Sequence, residues 1–134
     1  MSAYTADGWV LVTLWFAGPV TRRDPAAWRN VVATADWINH AILSYEEASA
    51  GVRTLARRGL LVERAHGVLV LSPAARKGFA SAYGTRKRMG VFKLWDAADA
   101  LIARQKVRAS PVKGPTRAVY RRALQSYGVT LPDR

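Results

Sequence analysis

The chain has 134 residues, with 21 Lys+Arg against 9 Asp+Glu, half of its residues apolar, no cysteine and only two histidines. That length suits one domain that can bury roughly 68% of its unfolded surface without a covalent or metal staple. Disulfides, a thiol nucleophile and a structural zinc site are excluded, because they need thiolates or several imidazoles at ligand spacing.

The first element is apolar on every side: Trp9, Val10, Leu11, Val12, Leu14, Trp15 and Phe16 cover the whole helical wheel from Asp7 to Ala17. Such a helix is expected to be central and buried. The uncharged stretch from Gly8 to Val20 is 13 residues and no basic segment precedes it, whereas a membrane span needs about 20, so neither a membrane helix nor a signal peptide is expected. Gly18 and Pro19 stop this helix, and Asp24-Pro25 starts the next with an acceptor at the cap and a proline where no amide hydrogen is needed. Trp28, Val31, Val32, Ala35 and Ile38 form its apolar stripe, and Trp9, Trp15, Trp28 and Trp37 are all expected in the core.

Ser44-Tyr45-Glu46-Glu47 has capping-box spacing and opens a third helix, with the stripe Tyr45, Ala48, Val52 and Leu55 and a left-handed stop at Gly59. Two apolar runs, Leu60 to Val62 and Val68 to Leu71, flank Glu63-Arg64-Ala65-His66-Gly67 and predict a β-hairpin with a five-residue loop. Ser72-Pro73 starts a fourth helix ending near Gly84. A fifth shows Val91, Leu94, Trp95, Ala98, Leu101 and Ile102 on one face. Ser110 to Pro115 is a linker, and a last helix runs from about Thr116 to Tyr127.

Charge is distributed unevenly. Residues 1–75 carry 7 basic against 6 acidic side chains, and residues 76–134 carry 14 against 3. Clustered positive charge favours a polyanionic partner, since each neutralised phosphate releases condensed counterions.

The stretch from Tyr45 to Val62, followed by Gly67-Val-Leu-Val-Leu-Ser-Pro-Ala-Ala-Arg-Lys-Gly-Phe, resembles the recognition helix, wing and following helix of the winged helix-turn-helix superfamily, as in small bacterial transcriptional regulators. Leu55 four residues before Gly59, Gly-Leu-Leu entering the first strand and Leu-Ser-Pro leaving the second carry the likeness, which covers about residues 7–84. It implies a mainly α fold with a small β-hairpin wing plus C-terminal helices. The expected division is a winged domain over 1–84, an additional helix, a possible dimerisation element, over 85–109, and a basic linker and helix over 110–134. It further implies double-stranded DNA as partner, with the third helix in the major groove and the wing on the backbone.

On that reading Tyr45, Ser49 and Arg53 approach base edges, while Arg57, Arg58, Arg64, Arg86, Lys87, Arg88, Arg117 and Arg121 hold phosphates. Each basic group also has an ordinary alternative as a solvated face or hinge. Glu46 fits poorly, because a carboxylate at the entering end repels phosphate. The fifth helix either forms a homodimer through residues 91–107 or closes the core of its own chain. Asp36 and His40 share a helix face, but two ligands do not make a metal site, so an ion pair or helix-end capping is expected there. Glu46 and Glu47 diverge, and no phosphate loop or nucleophile elbow is present, so neither enzyme activity nor a cofactor is expected. A cytoplasmic location is expected, and no membrane partner. Two other readings remain open: a winged helix that binds protein instead of DNA, and RNA binding through the basic C-terminal region.

Overall fold

The structure is a computed structural model that describes residues 4–84 and 90–131, with the side chains of 82–84 left aside. Its elements run α1 (Ala6–Ala17), β1 (Val20–Thr21), α2 (Pro25–Asn39), α3 (Tyr45–Arg57), β2 (Leu61–Arg64), a 3-10 turn (Ala65–Gly67), β3 (Val68–Leu71), α4 (Pro73–Gly84), α5 (Val91–Arg104) and α6 (Arg117–Tyr127). The chain is mainly helical with one small antiparallel sheet of order β1-β3-β2.

Local chemistry sets the boundaries. The Asp24 side chain accepts from the Ala26 amide with Pro25 just inside α2. At α3 the capping box is complete: the Glu47 amide donates to Ser44 Oγ at 3.0 Å, and the Ser44 amide donates to Glu47 Oε1 at 3.0 Å. Gly59 ends α3 with φ +72°, and the Leu60 amide donates to the Leu55 carbonyl at 2.8 Å, so a carbonyl left over at the helix end is satisfied and the chain turns into β2.

α1 is the central rod. Trp9, Val10, Leu11, Val12, Thr13 and Leu14 are all buried, and α2, α3 and α5 pack around it. Phe16, at its end, departs from the expected all-round burial. Indole groups fasten the layers from inside, Trp9 Nε1 donating to the Ala35 carbonyl and Trp95 Nε1 to the Thr5 carbonyl.

The structure corrects three further expectations. The two-residue strand β1, which pairs Val20 with Leu69 and Thr21 with Val68, was not foreseen. It is too short to show a period of two. Arg64 pairs with Val68, so the hairpin loop is the three residues Ala65 to Gly67 and not five. Trp37 is 59% exposed, set edge-on to Phe16 at 5.4 Å. On α5 Leu94, Trp95, Ala98, Leu101 and Ile102 are buried, and the helix lies on α1 and α4.

α6 packs in cis on α2, with Tyr120, Ala123 and Leu124 joining the same core cluster as α1 to α5. Tyr120 is wholly buried and its hydroxyl donates to the Leu43 carbonyl. Burial, with Glu47 nearby, pushes that phenol far above its ordinary value, so it stays a neutral donor. At the far end of the helix, Tyr127 donates to Asp36 Oδ2 at 2.7 Å, which settles where the Asp36 carboxylate turns. His40 closes α2 through its own backbone, with φ 53° and its amide donating to the Asp36 carbonyl. No helix among the described residues is long and apolar enough to cross a membrane.

Replacing Tyr120 with Phe strands a buried carbonyl, and a loss of about 1–2 kcal/mol in urea unfolding is expected.

Candidate nucleic-acid interface

α3 is amphipathic, with Ala48, Gly51, Val52, Leu55 and Ala56 buried. Glu46, Ala50, Arg53 and Arg57 are exposed and fall within one sector of the wheel. The neighbouring sector, with Tyr45 and Ser49, is covered by the segment 105–116, which has no regular secondary structure and lies along α3 in the opposite direction.

Several bonds hold this strap. The Arg108 amide donates to the Arg57 carbonyl at 2.7 Å, satisfying one of the acceptors that the end of α3 leaves open. Arg58 donates from its guanidinium to the Gln105 carbonyl at 2.6 Å, and Arg22 Nε donates to the Gly114 carbonyl at 2.9 Å. At Gly114 the strap passes close over α3. A Cβ there would stand 3.2 Å from Ser49 Cα, which is backbone and cannot swing aside.

The strap redistributes the residues that the sequence singled out. Tyr45 is half-buried, with the Arg117 guanidinium 4.5 Å above its ring and Tyr120 edge-on at 6.0 Å. Ser49 is half-buried beneath Gly114. Of the three expected base readers, only Arg53 is exposed. Arg57 and Arg64 are exposed at the end of α3 and the end of β2, while Arg58 is half-buried against the strap. Arg117 pairs with Glu46 at 3.1 Å, so the misfit carboxylate has a counter-ion on α6. Both partners are largely exposed, which limits the pair to well under 1 kcal/mol and leaves its main effect as charge neutralisation. Arg121 lies on α6 facing the groove beside Ile42 and Leu124, away from Arg57 and Arg64. Arg86, Lys87 and Arg88 lie outside the described residues.

An open cleft of about 970 Å³ separates the end of α3, β2, the end of α5 and the strap. Arg57, Arg58, Arg64, Arg104, Lys106 and Arg108 line it, and Glu63 is the one carboxylate among its described walls. Arg104, Lys106 and Arg108 were missed by sequence reasoning as site residues. The C-terminal charge excess was the available signal, but charge balance does not say which element a strap will cross. Behind α3, Asp7 ties α1 into this region: burial raises its carboxyl above the ordinary range with Asp99 adding to the rise, while a Thr54 hydrogen bond and Arg58 oppose it. Among the described residues, no group of His, Cys, Asp and Glu could hold a metal ion.

Gly114→Val is expected to lift the strap from α3, costing about 1–3 kcal/mol of stability in urea unfolding, with faster hydrogen exchange at the Arg108 amide. Comparisons with protein-family models, with curated proteins and with solved structures each gave no match to this chain.

Proposed function

We propose that the protein is a winged-helix protein that binds double-stranded DNA as a transcriptional regulator, using the exposed flank of α3 together with the strap. The order of helices, the short first strand and the hairpin support the winged-helix assignment. The single observation that carries the DNA reading is the cleft in which six cationic side chains face one carboxylate. Such a predominantly cationic surface concentrates a polyanion.

In this reading Arg53 and Arg57, one helical turn apart on α3, approach the groove. Arg64 on the hairpin and Lys106 and Arg108 on the strap follow the phosphate backbone. Tyr45 and Ser49 support the strap in place of reading bases, and Arg117 removes the Glu46 charge that would otherwise face phosphate.

A second reading, a protein-binding module, is favoured by one observation: Phe16 and Trp37, 41% and 59% exposed, form an aromatic pair open to solvent. It leaves the basic cleft without a role.

Titration with a short duplex at rising salt separates these readings. Arg53→Ala and Arg57→Ala are each expected to weaken binding, and each lost phosphate contact to lower the log-log salt slope by about 0.9. The same titration with an RNA hairpin is expected to bind less tightly, because the deep, narrow groove of A-form RNA excludes α3. Unchanged affinity and slope in both variants would falsify the α3 assignment.

A further inference from the structure

A second cavity, of about 440 Å³, opens further along the strap, where residues 113–116 cross the first half of α3. Its charged walls are Arg22, Arg53 and Lys113, and the hydroxyl side chains of Tyr45, Ser49 and Thr116 complete it. Among the described residues no carboxylate lines it and no ion pair involves Arg22, Arg53 or Lys113. Three positive groups around one small cavity repel, and a bound anion reverses that balance.

Arg22 is held at both ends. Its amide donates to the Gly67 carbonyl at 2.9 Å, its carbonyl accepts from Trp28 Nε1 at 2.8 Å, and its Nε donates to the Gly114 carbonyl at 2.9 Å. The guanidinium is therefore placed before any ligand arrives, and its terminal amino groups keep the planar fork that matches an oxyanion. Thr116 is the N-cap of α6, accepting from the Val119 amide at 3.2 Å, so the positive end of that helix adjoins the same cavity. Fixed guanidinium, two further cations, hydroxyl donors and a helix N-terminus make a donor set for a compact, doubly charged oxyanion. The volume falls in the range of small-ligand sites.

We propose that this cavity is a phosphate site. The phosphate can belong to a nucleic-acid backbone or to a free phosphate ion or monoester, and the inference rests on the cavity itself, not on recognition of a duplex.

The test is thermal unfolding of the full chain in inorganic phosphate, with chloride at matched ionic strength as reference. For a site of about millimolar affinity, 10 mM phosphate is expected to raise the midpoint by roughly 3–6 °C above the chloride value. Lys113→Ala and Arg53→Ala are each expected to reduce that shift by at least half. Arg22→Lys, which keeps the charge but loses the fork, is expected to reduce it as well. If phosphate does no more than chloride, or if Lys113→Ala and Arg53→Ala both leave the shift intact, the site is refuted, whatever the duplex titration shows.

A duplex arm then distinguishes the sources. Phosphate that weakens duplex binding beyond matched chloride assigns the cavity to a backbone phosphate; phosphate that leaves duplex affinity unchanged assigns it to a free phosphate. A phosphate shift in a chain that binds no duplex keeps the site and removes the DNA reading alone.

Discussion

The strap against α3 is the contact on which the surface of this protein depends. A strap of 12 residues without secondary structure would ordinarily be a loose linker, yet this one is held by the Arg57 carbonyl, by the Arg58 guanidinium and by Arg22 Nε. Each bond uses a group that α3 or the chain before α2 already presents. The price of ordering such a segment is high, about 1–2 kcal/mol per residue in backbone entropy, and anchoring both of its ends in the core lowers it. α5 supplies one anchor through Leu101 and Ile102, and α6 supplies the other through Tyr120 and Leu124.

Those anchors tie the surface to the interior. α1 is apolar all round for most of its length and is enclosed by α2, α3 and α5, while α6 lies on α2. Hence α6 is part of the single core, and the strap between α5 and α6 has little choice of route. It crosses α3 beside the flank that carries Arg53 and Arg57. Lys106, Arg108 and Lys113 arrive with it, so helix and strap together form a basic surface that neither would form alone.

Much of this was legible in the sequence, and the failures have physical causes. Caps read well because they are local: Asp24-Pro25, Ser44 with Glu47, and Gly59 act within a few residues, and each behaves as its chemistry dictates. Trp37 was misread by residue type alone. It follows Trp28 by nine positions, half a turn out of phase at 100° per residue, so the wheel that placed Ile38 inside places Trp37 outside. β1 was hidden because two residues carry no periodicity, and its partner β3 is remote in sequence. Ser110 to Pro115 was read correctly as irregular, but proline and glycine content reports local conformation and not where the segment docks. The covering of Tyr45 and Ser49 therefore could not be read, whereas the exposure of Arg53 and Arg57 could.

Taken together, the electrostatics point outward from one side of α3. Glu46 is matched by Arg117, Glu63 is the one acid among the described walls of the larger cleft, and the smaller cavity has no acid in its described walls. The most direct measurement is amide chemical-shift mapping of the isotopically labelled full chain during titration with a short DNA duplex. The largest changes are expected at Arg53, Arg57 and Arg64 and, on the strap, at Lys106, Arg108 and Lys113. Changes that leave the strap and α3 still while moving the ends of α1 and α2 around Phe16 and Trp37, or no changes at all, would contradict the account.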